Sequence, residues 1–192
     1  NPTAKILENF GPSHPPIAEY TGIICKYNLP ETFPPKVLEE LQTIPAEVSA
    51  KEAKGRLDLR DEFVITIDPS DAKDFDDALS IAKGENNTIK IGVHIADVSH
   101  YVKPDSAIDK EAIQRGNSTY LVGTVIPMLP FELSNGICSL VEGKDRLVKS
   151  VFLTFDNRGD CKRVDFANSV IRSKKRLSYE QAYALLKEDD LS

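Results

Sequence analysis

The sequence predicts an α+β fold in which a mainly antiparallel sheet is flanked by helices. Short β-branched runs separated by turn residues predict the strands, and a helical apolar spacing near the end of the chain predicts a closing helix. The 192 residues are 41% hydrophobic and 28% charged, which is ordinary for a globular chain that buries a core. Disorder over the whole chain is therefore excluded.

The N-terminal region is rich in proline. The first 45 residues hold eight of the twelve prolines, which favours loops and short elements over a long helix. We predict a strand at residues 21–27. Helices are predicted at residues 36–41, which two prolines precede, and at residues 46–54, which a glycine follows. We interpret the two helices as a connector.

Apolar runs broken by turn residues begin at residue 63 and predict most of the sheet. The predicted strands are residues 63–67, 78–82, 89–98, 147–156 and 164–171. The second and third are expected to form a hairpin across residues 84–87, and the last two are expected to turn back on each other at residues 157–160. A helix is predicted at residues 106–115, and Pro127 and Pro130 are expected to bracket a rigid loop.

The last predicted helix starts at Ser178. Ser178 and Gln181 fit a capping box, in which each side chain satisfies the free backbone donor of the other residue. The apolar residues that follow share one helical face: Tyr179, Ala182, Leu185 and Leu186.

The charge is unevenly distributed. The net charge of −6 argues at first against an anionic polymer as a partner. Residues 58–77, however, hold eight acidic and two basic residues, whereas residues 144–176 hold ten basic and four acidic ones. One acidic and one basic segment suit a protein that binds metal ions and also an anionic polymer.

Cysteine usage and hydropathy bear on the compartment. The three cysteines, Cys25, Cys138 and Cys161, are widely spaced and include no CxxC pair, so we expect a reducing cytoplasm and neither disulfides nor a cysteine zinc site. No apolar run approaches the roughly 18 residues of a membrane span, so no membrane association is expected. The chain opens without an initiator Met, and we interpret it as a monomeric part of a longer polypeptide.

A cluster of acidic residues follows the strand predicted at residues 63–67. It contains five aspartates within ten residues: Asp68, Asp71, Asp74, Asp76 and Asp77. Carboxylates this close repel one another, so a cation is expected to offset their charge. Short carboxylates suit hard cations such as Mg²⁺. Two such ions about 4 Å apart can activate a water and stabilise the leaving oxygen of a phosphodiester.

Composition alone leaves a solvated turn open as the alternative to a metal-dependent site. A structural calcium loop of the EF-hand type does not fit, because no register puts acids at positions 1, 3 and 5 with glycine at 6. A phosphatase with an aspartyl nucleophile would place its Asp-x-Asp pair straight after the strand, whereas Asp74 and Asp76 follow a polar loop.

The acidic loop contains the motif Lys73-Asp74-Phe75-Asp76-Asp77-Ala78, and further motifs lie at residues 58–61, 66–69, 92–98, 120–121, 126–130, 133–140 and 176–182. Together these motifs resemble the RNB catalytic domain of the ribonuclease II and ribonuclease R family of exoribonucleases. They keep the family order over roughly residues 15–192, and they are nearest to the bacterial ribonuclease R branch.

The resemblance implies a division of the chain. Residues 1–28 resemble the tail of a cold-shock barrel of the OB type, and residues 29–57 are the helical connector. Residues 58–192 resemble the N-terminal part of the RNB catalytic domain, which is incomplete in this sequence. The implied function is a magnesium-dependent 3′-to-5′ exoribonuclease that processively hydrolyses single-stranded RNA to nucleoside 5′-monophosphates.

The resemblance also implies roles for particular residues. The catalytic and Mg²⁺-binding carboxylates that it implies are Asp68, Asp74, Asp76 and Asp77. Tyr120 and Tyr179 match family tyrosines near the RNA 3′ end, where an aromatic face can stack on any base and a hydroxyl can bond to ribose. Because Tyr179 also lies on an apolar helical face, a packed core tyrosine is the alternative there. Asp71 matches no family catalytic position and is expected to cap a turn.

Three further groups of residues allow more than one interpretation. His94, Asp97 and His100 fit no standard zinc spacing; His94 is expected to be structural, and Asp97 to support the acidic site. The basic residues are interpreted as solvated, with phosphate contacts as the alternative: Arg172, Lys174, Lys175 and Arg176, with Lys144, Arg146 and Lys149. For the whole chain, the alternative is a non-cleaving RNA-binding module, although four intact carboxylates favour the enzyme.

Overall fold

The computed structural model describes residues 3–6, 9 and 16–189. The helices are α1 Pro16–Tyr27, α2 Pro35–Leu41, α3 Ala50–Ala53, α4 Val98–Tyr101, α5 Ala107–Arg115 and α6 Tyr179–Asp189. The strands are β1 Leu57–Leu59, β2 Val64–Asp68, β3 Asp77–Lys83, β4 Ile89–Ala96, β5 Thr119–Leu121, β6 Thr124–Ile126, β7 Asp145–Phe155, β8 Cys161–Arg172 and β9 Lys175–Ser178. A 3₁₀ turn spans Glu85–Asn87, and a π-helical turn spans Glu132–Ile137.

Seven strands form one sheet in the order β1-β8-β7-β4-β3-β2-β9, and β5 and β6 form a separate hairpin. The neighbouring pairs are antiparallel except β1 with β8 and β2 with β9. The predicted α+β fold with a mainly antiparallel sheet is confirmed. The hairpins β3–β4 and β7–β8 form across the turns that the sequence predicts.

Most of the core lies against one face of the sheet. The strand residues at its centre are Val64, Ala78, Ala96, Val148 and Ile171. Helical residues pack in the same cluster: Val37 of α2, Ile108 of α5, and Leu133 and Ile137 of the π-helical turn. Because side chains alternate along a strand, the apolar residues between the core positions lie on the opposite face, where several are exposed: Leu79, Ile81, Ile95 and Phe166.

The strand predicted at residues 21–27 is wrong, because these residues belong to helix α1. Tyr20, Ile23, Ile24 and Tyr27 recur at helical spacing, and Pro16 suits the first turn of a helix. That spacing outweighs the β propensity of the two adjacent isoleucines. The assignment of residues 1–28 to a cold-shock barrel stays a prediction, and residues 1, 2, 7, 8 and 10–15 lie outside the described part of the chain.

The other differences between prediction and structure concern the bounds of one helix and several short strands. The helix predicted at residues 46–54 is only Ala50–Ala53, because Ser49 caps it by forming a capping box with Glu52. The sequence predicts none of the short strands β1, β5, β6 and β9, each of three or four residues. Strands of that length are too short to show an alternating pattern.

The cysteines and the helices of the described residues relate to the predicted compartment. The three cysteines are free. Within the described ranges, no helix is long and apolar enough to cross a membrane. The cytoplasmic location, the monomeric state and the division at residues 28 and 57 stay predictions.

Candidate active site

The acidic loop, residues 68–77, connects two neighbouring antiparallel strands. Asp68 is the last residue of β2, and Asp77 is the first residue of β3. The strands pair Val64 with Ser80 and Ile65 with Leu79. Continuing that register would bring Asp68 opposite Asp76, so the sheet itself directs the two ends of the loop towards each other.

The four predicted carboxylates lie close enough to affect one another electrostatically. The pKa of Asp68 is raised by burial and then by the negative charges of Asp77, Asp76 and Asp74, while the charge of Arg176 acts in the opposite direction. The pKa of Asp76 is raised by burial and by the charges of Asp74 and Asp77. The structure thus brings together all four aspartates that the sequence singles out.

The donor set of this cluster fits a hard cation. Oδ2 of Asp68 is buried and has no hydrogen-bond partner, which leaves a carboxylate oxygen free for another ligand. Carboxylate oxygens are the protein ligands that Mg²⁺ takes. Among the described residues, however, no three His, Cys, Asp or Glu side chains form a group that could by itself hold a metal ion. The carboxylates are neighbours without converging on one point.

Tyr120 reaches this cluster from the β5–β6 hairpin. Its hydroxyl donates a hydrogen bond of 3.2 Å to Oδ2 of Asp74. The residue is 67% exposed, so its ring is open to solvent beside the carboxylates. This position is suited to stacking on a base.

Tyr179 lies next to the end of β2. It is the first residue of α6, and the preceding Ser178 is paired with Asp68 across the parallel strands β9 and β2. The predicted capping box forms, because the Ser178 amide donates to Oε1 of Gln181 and the Gln181 amide donates to Oγ of Ser178. At 57% exposure, Tyr179 is not the packed core tyrosine that its helical face allowed.

Asp71 is exposed, and its charge does not shift the pKa of Asp68 or Asp76. It belongs to the turn in which the Ala72 amide donates to the carbonyl of Pro69. Asp71 therefore lies in a turn, and its capping of that turn stays a prediction.

Two residues that the sequence does not assign to the site contact the backbone of the acidic loop. Oγ of Ser139 donates to the carbonyl of Lys73 and accepts from the amide of Phe75. Nη2 of Arg176 donates to the carbonyls of Pro69 and Ser70. Their membership in the family-like segments 133–140 and 176–182 is the signal that could have indicated them.

His94 is a structural residue, as predicted. It is fully buried, and its two ring nitrogens contact the hydroxyls of Ser80 at 3.0 Å and Ser150 at 2.8 Å. Burial lowers the pKa of His94 to about 4. The imidazole is therefore neutral at physiological pH.

The proposed support of the acidic site by Asp97 is wrong. Its buried carboxylate pairs with Arg56 at 2.7 Å and with Lys149 at 3.4 Å, and it accepts a hydrogen bond from Ser99. These partners hold its charge away from the loop. His100 joins the same group through contacts with Arg56 and Glu52.

The basic residues differ in how far they are exposed, and several also contact the protein itself. Arg172 pairs with Asp145, Lys174 donates to the carbonyl of Arg60, and Lys175 lies 3.9 Å from Glu142. Arg146 is buried and donates to the carbonyls of Ser139, Gly136 and Asp145. The interpretation of the basic residues as solvated holds for the side chains of Arg172 and Lys175, which are 45% and 57% exposed. It is wrong for Arg146, which is buried and donates to three carbonyls.

One family model covers most of the chain. The RNB domain model matches residues 56–192, and the chain belongs to the RNB-domain family. Among its relatives, Ribonuclease R of Thermotoga maritima is 53% identical over 190 residues, which cover 98% of this chain and 27% of that protein. Ribonuclease R of Chlamydia pneumoniae is 47% identical over 181 residues, which cover 94% of this chain and 27% of that protein.

Solved structures show the same fold. Mycoplasma genitalium RNase R in complex with double-stranded RNA superposes with a TM-score of 0.83 at 33% identity, covering 91% of this chain and 31% of that chain. Yeast Ssd1, a pseudonuclease, superposes with a TM-score of 0.77 at 23% identity, covering 91% of this chain and 22% of that chain, and shows the fold alone. The chain spans about a quarter of the length of the Ribonuclease R relatives named above.

Proposed function

We propose that this chain is part of a magnesium-dependent 3′-to-5′ exoribonuclease that processively hydrolyses single-stranded RNA to nucleoside 5′-monophosphates. The observation that carries the proposal is the cluster of coupled carboxylates, Asp68, Asp74, Asp76 and Asp77, beside the exposed ring of Tyr120. Similarity to Ribonuclease R proteins over nearly the whole chain supports it. Single-stranded RNA is the proposed partner, and the cytoplasm is the proposed location.

The reaction adds the oxygen of a water molecule to the last phosphorus of the RNA. The bond from that phosphorus to the 3′ oxygen of the preceding nucleotide breaks, and a proton ends on this oxygen. The products are a nucleoside 5′-monophosphate and an RNA that is one nucleotide shorter. Each turn of the reaction leaves a new 3′ hydroxyl, so the same site can act again.

The residues of the chain divide this work. Asp68, Asp74, Asp76 and Asp77 would offer carboxylate oxygens to Mg²⁺, which water and the RNA phosphate would also bind. When bound, Mg²⁺ supplies the positive charge that keeps a phosphate next to carboxylates, and it lowers the pKa of water. The ring of Tyr120 offers a face for the terminal base. Its hydrogen bond to Asp74 fixes that face relative to the carboxylates.

A gel assay on 5′-labelled single-stranded RNA, with DNA of the same sequence as a control, tests this function. It uses the longest natural polypeptide that contains this chain and compares it with Asp76→Asn. We expect a ladder that shortens from the 3′ end, only on RNA and only with Mg²⁺. Asp76→Asn and EDTA should each abolish the ladder, while RNA binding by Asp76→Asn stays nearly intact.

Asp71→Asn is the matched control, because it removes one charge from the same loop without touching the carboxylate cluster. It should degrade RNA at nearly the wild-type rate. Equal turnover by wild type and Asp76→Asn would contradict the proposal. RNA binding without cleavage by the wild type would instead favour the alternative, a non-cleaving RNA-binding module.

A further inference from the structure

The backbone of the acidic loop is bonded at two places by side chains from distant parts of the sequence. The first is Ser139, which follows the π-helical turn and is fully buried. Its Oγ donates to the carbonyl of Lys73 at 2.8 Å and accepts from the amide of Phe75 at 3.0 Å. One hydroxyl therefore fixes the backbone on both sides of Asp74.

Ser139 is itself held in place. The buried guanidinium of Arg146 donates from Nε to the carbonyl of Ser139 at 2.7 Å. The next residue, Leu140, donates its amide to the carbonyl of Phe75 at 2.9 Å. The hydroxyl thus projects from a segment that the core fixes, and it can hold the loop without moving with it.

The second place is the start of the loop. Nη2 of Arg176 donates to the carbonyls of Pro69 and Ser70, each at 2.7 Å, directly after Asp68. The guanidinium carbon lies 5.4 Å from the ring centroid of Phe75, which is buried in the core cluster. Arg176 therefore connects the first part of the loop to the part that Ser139 holds.

We propose that Ser139 and Arg176 are positioning residues that hold the acidic loop in the shape in which its aspartates act. The proposal rests on the proposed function, because it assigns a purpose to the shape of that site. Four mutually repelling carboxylates favour a loop that opens outwards, so hydrogen bonds to its backbone must oppose this repulsion. A displacement of about 1 Å in a reacting group can cost roughly 100-fold in rate.

Amide hydrogen exchange tests whether Ser139 and Arg176 stabilise the loop backbone, and it does not require an active enzyme. It is measured at residue resolution in EDTA on the longest natural polypeptide that contains this chain. In Ser139→Ala the Phe75 amide loses its acceptor, and we expect it to exchange roughly 3- to 10-fold faster, the size of effect that one hydrogen bond gives. In Arg176→Gln we expect the same for the Ala72 amide, which closes the turn at Pro69.

Two matched controls separate this role from general damage. Ser169→Ala removes another fully buried hydroxyl, one that has no hydrogen-bond partner. Arg172→Gln removes a charge from the same basic run, where it pairs with Asp145 and not with the loop. Both should leave the exchange of Phe75 and Ala72 at the wild-type rate. Arg176→Lys keeps a cationic donor and should restore the slow exchange of Ala72 in part.

Steady-state kinetics on single-stranded RNA test the consequence for the reaction. We expect kcat to fall roughly 10- to 100-fold in Ser139→Ala and Arg176→Gln, with KM changed less than about threefold. The inference would be overturned if the Phe75 and Ala72 amides exchanged in Ser139→Ala and Arg176→Gln at the same rates as in the controls. It would also be overturned if these amides exchanged faster while kcat stayed at the wild-type value. If the wild type degrades no RNA at all, the proposed function fails, and the exchange rates alone decide whether the two residues hold the loop.

Discussion

The hydroxyl of Tyr120 donates a hydrogen bond to Asp74 Oδ2 and thereby joins the β5–β6 hairpin to the acidic loop. Burial and the neighbouring charge of Asp74 raise the pKa of Tyr120 above its ordinary value. The hydroxyl is consequently protonated, and remains a donor, at neutral pH. The hairpin, two short strands outside the main sheet, is in this way tied to the site.

Tyr120→Ala should weaken binding of single-stranded RNA by roughly 5- to 150-fold, because stacking of one base on an aromatic ring contributes about 1–3 kcal/mol. Tyr120→Phe keeps the ring and should stay within about threefold of the wild type. Fluorescence anisotropy with labelled RNA measures both variants, in an Asp76→Asn background that prevents cleavage.

Val122→Ala is the control for this comparison, because Val122 is fully exposed in the same hairpin and is not aromatic. It should bind RNA as the background protein does. A loss in Val122→Ala as large as that in Tyr120→Ala would show that the hairpin, and not the ring, is what RNA contacts.

How much of the site the sequence could predict depends on how local each contact is. The acidic loop was predictable because five aspartates directly follow a strand with a clear β-branched pattern. The contacts that shape it were not, because Ser139 lies 64 residues beyond Phe75 and Arg176 lies 106 beyond Ser70. No local pattern records which carbonyl a distant side chain meets.

The ion pair between Arg56 and Asp97 gives a prediction about stability. The two side chains are 11% and 2% exposed and lie 2.7 Å apart. Asp97→Ala leaves a nearly buried guanidinium without its carboxylate and should lower the free energy of unfolding by about 3–5 kcal/mol. Urea unfolding measures the loss.

The exposed pair between Lys144 and Glu47 is the matched control, with side chains 54% and 76% exposed at 3.2 Å. Glu47→Ala should change the free energy of unfolding by about 0–1 kcal/mol, since solvent screens such a pair. If Asp97→Ala costs no more than Glu47→Ala, the buried pair contributes nothing beyond its surface counterpart.

The burial of His94 leads us to expect that the free energy of unfolding depends on pH. Burial lowers its pKa to about 4 in the folded chain, below the ordinary histidine value of about 6.5. Between these values the unfolded state binds more protons, so the contribution of His94 is complete above about pH 6.5 and is lost as the pH falls towards 4. The loss amounts to about 3 kcal/mol at most.

The difference between the wild type and His94→Gln isolates this contribution, because every other titrating group is present in both proteins. Urea unfolding at intervals from pH 4.5 to 7.5 should show a steeper fall for the wild type than for the variant. Parallel curves for the two proteins would mean that His94 takes up its proton in the folded chain as readily as in the unfolded one.

Asp76 gives a prediction that combines stability with metal binding. Its pKa is raised by burial and by Asp74 and Asp77, so its negative charge opposes folding when no cation is present. In EDTA at neutral pH, Asp76→Asn should therefore unfold at a higher temperature than the wild type, by roughly 1–3 °C. Asp71→Asn, in the same loop but outside the cluster, should leave the unfolding temperature unchanged.

In Mg²⁺, the wild type should have a higher unfolding temperature than Asp76→Asn, the reverse of their order in EDTA. A ligand that binds only the folded state stabilises it in proportion to the logarithm of its concentration over its dissociation constant. The unfolding temperature of the wild type should therefore rise as Mg²⁺ is added, and that of Asp76→Asn should rise much less. Two results would contradict the assignment of the cluster as a cation site. One is an Asp76→Asn protein that is less stable than the wild type in EDTA, and the other is an equal rise in unfolding temperature with Mg²⁺ in both proteins.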